Sequence, residues 1–139
     1  MRSRIVFASL ASALALCAAC SNGGGSSSSQ SSTSPSNGAA VFQANCSSCH
    51  QAQGQGEPGV FPPLAGNPVV TGPAATVIGI VKHGLAKPIT VKGVTYNGQM
   101  PAWGQTLSAS DIAAVLTYIR HSWGNSASGV TPVQVASTP

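Results

Sequence analysis

The sequence predicts a small all-α domain in the part of the chain that follows residue 36. Apolar residues recur at helical spacing towards the C-terminal end, at Ile112, Val115, Leu116 and Ile119. The first third of the chain, in contrast, is too polar and too repetitive to contribute to a core. A domain of this size, in a chain of 139 residues, buries a limited fraction of its surface and benefits from an added covalent staple.

The N-terminus has the layout of a secretory signal. Arg2 and Arg4 precede an apolar run over residues 5–19. This run is shorter than the roughly eighteen residues expected of a spanning helix, so a retained transmembrane anchor is the less favoured alternative. We therefore predict that residues 1–19 are a signal peptide and that the protein is exported.

Cys17-Ala18-Ala19-Cys20 resembles the end of a bacterial lipoprotein signal, in which a lipidated cysteine becomes the mature N-terminus. The resemblance implies lipidation of Cys20 and a location on the periplasmic side of a bacterial membrane. Cys17 stands where that pattern usually has an aliphatic residue, so ordinary cleavage after Ala19 remains an alternative. Residues 20–36 are rich in Ser and Gly and predict a flexible tether.

Two helices are predicted in the first half of the domain. The first covers residues 39–45, with Val41 and Phe42 on its apolar side. The second, over residues 74–83, contains several apolar residues and ends before Gly84, because glycine commonly follows the last helical residue. Two short β-branched segments, residues 89–91 and 94–96, come next. They flank a Lys-Gly pair and predict a small hairpin.

The last helix is predicted over residues 109–122. Ser108 can cap its N-terminus, and Asp111 lies three residues further on, as in a capping box. The segment 126–139 is rich in Ser and Thr and predicts a disordered tail. The folded domain is therefore expected to span residues 37–125.

Cys46-Ser47-Ser48-Cys49-His50 has the spacing of a c-type haem attachment site. In such a site the two thiols bond the haem vinyl groups and the imidazole ligates the iron. We predict one covalent haem c, held by Cys46 and Cys49 and ligated by His50. A zinc site and a redox dithiol are alternatives, but zinc usually needs a second Cys or His pair, which the sequence lacks. A thioredoxin-like dithiol is expected near a strand-helix-strand pattern.

Met100 is the predicted sixth ligand of the iron. A Met/His pair is the ligand set that raises the potential of cytochromes c, and Met100 lies in a loop between Gly98 and Pro101. Packing of a lone methionine in the core is the alternative. His83 and His121 are rival ligands, which we expect to lie on the surface instead.

The charge pattern excludes some partners. The formal net charge is +4, with six Lys and Arg residues against two Asp and Glu residues, and two of the cations lie in the predicted signal peptide. No basic stripe for nucleic acid is present. Because only 6% of the residues are charged, docking to a redox partner is expected to depend weakly on salt.

Over residues 38–124 the chain resembles the class I cytochrome c family. The resemblance rests on Gly38 and Phe42 ahead of the Cys-x-x-Cys-His motif, on Phe61-Pro62-Pro63-Leu64-Ala65-Gly66, and on Met100-Pro101-Ala102-Trp103-Gly104. It implies a small cytochrome c fold with helices around one haem, in which the first helix packs against the last. For that contact the partners on the last helix would be Val115 and Tyr118.

The same resemblance implies roles for individual residues. The carbonyl of Pro62 would accept the proton of the His50 imidazole, and Leu64 would pack on the haem face. Trp103 would also lie beside the haem, where packing is favoured over a role as an electron conduit. Tyr96 would reach a haem propionate or simply belong to the hairpin.

The motif from Met100 to Gly104 and the residues after it look closer still to cytochrome subunits of bacterial periplasmic dehydrogenases and to domains attached to terminal oxidases. The function so implied is electron transfer between such redox partners, without substrate chemistry. A haem enzyme or ligand sensor with an open iron site is the first alternative. A zinc-binding structural lipoprotein is the second.

Overall fold

The computed structural model describes residues 37–139, which form a helical domain with a two-stranded sheet. In chain order the elements are α1 Gly38–Asn45, α2 Ser47–His50, α3 Pro68–Thr71, α4 Ala74–His83, β1 Ile89–Val91, β2 Val94–Tyr96, α5 Ala109–His121 and α6 Pro132–Ser137. The predicted fold class is confirmed. The predicted signal peptide, the lipidation site Cys20 and the tether lie outside the described residues.

Helices α1 and α5 begin at polar caps and pack against each other. The side chain of Asn37 accepts hydrogen bonds from the first turn of α1, and Ser108 and Asp111 form the predicted capping box of α5. Phe42 is fully buried and lies in one apolar cluster with Val115. The contact between α1 and α5 is therefore the one that the family resemblance implied, α5 being the helix predicted over residues 109–122.

The remaining predicted elements are also present. Helix α4 has the predicted bounds, and the backbone N–H of Gly84 closes its last turn on the carbonyl of Ile80. Strands β1 and β2 are antiparallel, with Ile89 opposite Tyr96 and Val91 opposite Val94. No helix within residues 37–139 has the length and hydropathy needed to cross a bilayer.

The segment 126–139 is ordered, which corrects the prediction of a disordered tail and of a domain that ends at residue 125. It forms α6, whose start is fixed by a capping box between Thr131 and Gln134. Val130 and Val135 are buried against α4 and α5. The composition is misleading here because two well-placed valines and a cap outweigh the surrounding Ser and Thr residues.

Candidate cofactor site

The Cys-x-x-Cys-His segment follows directly on α1. Cys46 ends that helix, donating to the carbonyl of Phe42 at 2.9 Å, and its own carbonyl accepts from the backbone N–H of His50 at 2.9 Å. The second contact belongs to α2, which turns the imidazole towards the interior. His50 is 9% exposed.

The ring of His50 is oriented by the segment 61–66, here called the proline-rich loop. Its Nδ1 lies 3.0 Å from the carbonyl oxygen of Pro62, the pair named from the sequence. Burial lowers the pKa of His50, and the Pro62 hydrogen bond opposes that shift in part. With Nδ1 engaged as a donor, Nε2 is the nitrogen that remains for a metal.

The loop that carries Pro62 is held by Asn125. Its side-chain oxygen accepts from the N–H of Gly66 at 2.7 Å, and its Nδ2 donates to the carbonyls of Leu64 at 3.0 Å and Ile119 at 2.8 Å. One buried amide thus joins the loop to the C-terminal end of α5. No pattern in the sequence marks this role, because it depends on contacts about sixty residues apart.

Residues 98–101, here called the Met100 loop, are hydrogen-bonded to the segment just after α4. Met100 and Leu85 exchange two backbone hydrogen bonds, each 2.9 Å long. Trp103 lies two residues after Pro101, and its backbone N–H donates to the carbonyl of Val81 at 2.9 Å. These bonds hold the methionine and the tryptophan against the apolar face of α4.

The two predicted iron ligands line the same cavities. Two adjoining cavities, of about 70 and 260 Å³, share part of their walls. His50 and Met100 line both cavities, as do Cys46, Pro62 and Trp103, while Leu64 lines the smaller and Cys49 the larger one. The structure therefore brings together seven of the eight residues proposed to contact the cofactor.

Tyr96 is the residue that lines neither cavity. It is buried within the hairpin, opposite Ile89. The rival ligands His83 and His121 also line neither cavity. His83 is exposed, with Nε2 3.0 Å from a backbone oxygen of Pro139, and Nδ1 of His121 lies 2.8 Å from the carbonyl of Thr117.

The chemistry of the lining fits a haem with two thioether attachments. The residues shared by the cavities combine one imidazole and one thioether, and most of the remaining wall is aliphatic. Cys46 and Cys49 are not bonded to each other and are partly buried at the cavity wall. Burial, aided by the neighbouring Cys49, raises the pKa of the Cys46 thiol to about 11, the opposite of the shift that activates redox cysteines.

A zinc site is less well supported than a haem site. Within residues 37–139, no three His, Cys, Asp or Glu side chains come close enough to hold a metal ion together. Zinc would need such a set. His50 and Met100, which line the same cavities, are an imidazole and a thioether, the donor types of a Met/His-ligated haem iron.

The aromatic residues around the first helix form a packed cluster. Phe42, Tyr118 and Trp123 have ring centroids between 5.1 and 5.7 Å apart in tilted and edge-on arrangements. Such geometry is typical of stabilising aromatic packing. Trp123 lines neither cavity.

Comparison with known families gives one match over most of the domain. Residues 33–119 match the family model described as "Cytochrome C oxidase, cbb3-type, subunit III". The matched segment contains the Cys-x-x-Cys-His motif, the proline-rich loop and the Met100 loop. Helix α6 lies beyond it.

Individual relatives are also cytochromes. Cytochrome c-552 of Thermus thermophilus is 43% identical over 93 residues, which cover 64% of this chain and 70% of the relative. The cytochrome c subunit of the quinone alcohol dehydrogenase of Gluconacetobacter polyoxogenes is 40% identical over 66% of this chain but only 20% of its own length. The cbb3-type oxidase subunit FixP of Azorhizobium caulinodans is 33% identical over 59% of this chain and 25% of its own.

Proposed function

Since this chain belongs to the cytochrome c family of the cbb3-type subunit III model, we propose that it holds one haem c and carries single electrons between redox proteins. The domain is an electron carrier and is not itself catalytic. The observation that best supports the finer proposal is that His50 and Met100 both line the same two adjoining cavities, with Cys46 lining both and Cys49 lining the larger one.

Haem c supplies an iron atom that can accept and release one electron. We propose that Cys46 and Cys49 would hold the haem covalently and that His50 and Met100 would ligate its iron. The carbonyl of Pro62 fixes the tautomer and orientation of the imidazole. The backbone pairing with Leu85 holds the backbone of Met100 in place beside the cavities, from which its thioether could reach the iron.

The wall of the smaller cavity is mostly apolar and would shield a bound haem from water. The smaller cavity is walled by aliphatic side chains from α3, α4 and α5, among them Val70, Val81 and Leu116. A low-polarity environment and a Met/His pair both favour the reduced iron. We therefore expect a higher potential than a bis-histidine site would have.

The proposed electron partners are a dehydrogenase or terminal oxidase complex, the kinds of assembly that the names of the relatives mention. The dehydrogenase and oxidase subunits are four to five times longer than the matched segment, since it covers 20 to 25% of each of them. We further propose export to the periplasmic side of a bacterial membrane and lipid anchoring at Cys20. Mass spectrometry of the mature N-terminus tests the anchor, and an unmodified Cys20 or a start further along the chain would refute it.

The central test is a reduced-minus-oxidised spectrum of the purified protein, combined with a redox titration. We expect a c-type haem spectrum that survives denaturation, and a single one-electron wave. A purified protein without visible absorption would refute the proposal that the domain binds haem. Prompt stoichiometric binding of carbon monoxide to the reduced protein at neutral pH would indicate an open iron site instead.

The sixth ligand is tested by substitution. Met100→Ala should abolish the weak sulfur-to-iron band near the red end of the oxidised spectrum. The matched controls are His83→Ala and His121→Ala, which should retain it because neither histidine lines the site. Absence of the band from the unsubstituted protein, or its retention in Met100→Ala, would contradict Met100 ligation.

A further inference from the structure

Arg120 is a buried cation that the proposed electron-transfer site does not use. It is 4% exposed. Its Nε donates to the carbonyl of Ser128 at 2.7 Å, and its Nη1 donates to the carbonyls of Val70 at 2.5 Å and Gly72 at 2.9 Å. All three acceptors are neutral backbone groups.

Within residues 37–139, the acceptors of Arg120 are backbone carbonyls and none is a carboxylate. The whole chain contains two acidic side chains, Glu57 and Asp111. Asp111 lies nine residues before Arg120 in α5, about 14 Å away along the helix, where it takes part in the capping box with Ser108. Glu57 is exposed in the loop after the Cys-x-x-Cys-His segment. The guanidinium is therefore buried and hydrogen-bonded to backbone carbonyls, with no acidic side chain of the described residues among its acceptors.

The charge stands directly behind the wall of the smaller cavity. Val70, whose carbonyl accepts from Nη1, lines that cavity, and so does Ile119, the residue before Arg120. An arginine side chain stays protonated in proteins. In an interior of low dielectric, such a charge acts over a longer range than an exposed lysine, because neither solvent nor salt screens it fully.

We propose that Arg120 raises the reduction potential of the haem iron as a fixed, uncompensated positive charge. Reduction adds one electron to the site, and a nearby cation stabilises that added negative charge. This role rests on the proposed function, because it requires the haem to occupy these cavities. Arg120 also has a structural role, because its hydrogen bonds join α5 to α3 and to the segment before α6.

The test compares Arg120→Met with Arg120→Lys in the haem-loaded protein. Methionine keeps much of the length of the side chain without the charge, whereas lysine keeps the charge and can still donate hydrogen bonds. The midpoint potential is measured by redox titration at low and high ionic strength. The red-end band is recorded for each variant, so that a change of axial ligand is detected separately.

We expect a lower midpoint potential in Arg120→Met at both ionic strengths, and a potential close to that of the unsubstituted protein in Arg120→Lys. Lys87→Met removes an exposed charge and is the matched control; any shift that it causes should disappear at high salt. An unchanged potential in Arg120→Met with the band intact would overturn the proposal. So would equal shifts in the Met and Lys variants, which would indicate a structural effect alone.

A second neutral variant, Arg120→Gln, decides the matter if Arg120→Met does not fold, since glutamine can still donate to one of the three carbonyls. It should lower the potential as methionine does. Failure of the proposed function would look different, because the unsubstituted protein would then lack the haem spectrum or the one-electron wave.

Discussion

Leu85 and Met100 face each other as a pair of backbone partners, with the N–H of each donating to the carbonyl of the other at 2.9 Å. Leu85 lies two residues beyond the end of α4, so the helix determines where the methionine loop begins. The proposed iron ligand is thus placed by a segment fifteen residues earlier in the chain.

Gly84→Ala should loosen the Met100 loop. Gly84 has a φ of 73°, and an added Cβ would contact the carbonyl oxygen of Met100 and come within 2.9 Å of the Ala102 nitrogen. The backbone strain alone costs on the order of 1–3 kcal/mol. We expect a lower free energy of unfolding in chemical denaturation and a weaker red-end band.

Gly59→Ala is the control for this loop. Gly59 also has a φ of 73°, but an added Cβ would have no atom within 4 Å. It should lose stability through strain and keep the band at full intensity. Equal weakening of the band in both variants would contradict the proposed influence of Gly84 on the methionine.

Gly38→Ala should disturb the packing of α1 against α5 and lower the stability of the domain. An added Cβ at Gly38 would overlap the carbonyl of Ala114 and lie 2.8 Å from the Cβ of Tyr118, and overpacking of this kind costs about 1–3 kcal/mol. Gly79→Ala, within α4, meets no atom within 4 Å and should instead stabilise by about 0.5–1 kcal/mol through helix propensity. Thermal unfolding of the two variants should shift in opposite directions; a shift of the same sign would count against the close helix contact.

The docking of α6 can be measured with two substitutions of the same kind. Val135 is 2% exposed and Val133 is 76% exposed, and both lie in α6. Val135→Ser should destabilise the domain by about 1.5–3 kcal/mol, the value of one buried valine. Val133→Ser should change stability by less than about 0.5 kcal/mol. Similar urea midpoints for the two variants would show that α6 is not packed in solution.

Electron transfer to a partner should depend weakly on ionic strength. No Asp, Glu, Lys or Arg side chain lines either cavity, so the approach to the site carries little charge. We expect less than about a threefold change in rate between ~0.05 and ~0.5 M salt. Gln99→Lys, which places a cation on the exposed rim, should introduce a salt dependence with a charged partner. A steep dependence without that substitution would refute the expectation.

The sequence predicted the elements whose information is local. Helix α5 could be found because its apolar spacing and its Ser108–Asp111 cap lie within a few residues of each other. The hairpin around Lys92 and the end of α4 at Gly84 were found for the same reason. Helix α6 was missed, because its stability comes from burial of Val135 against distant helices rather than from its composition.

For the site, the sequence by itself determined the chemical groups: two thiols and an imidazole at a fixed spacing, and a single methionine beyond the predicted signal peptide. These follow from residue identity. Only the tertiary structure decided which groups share a cavity, placing Met100 there and Tyr96 elsewhere. It also decided that Asn125 holds the proline-rich loop and that Arg120 is buried and hydrogen-bonded to backbone carbonyls. The physical reason is that burial and hydrogen bonding join residues about fifty to sixty positions apart, a separation over which no local pattern carries information.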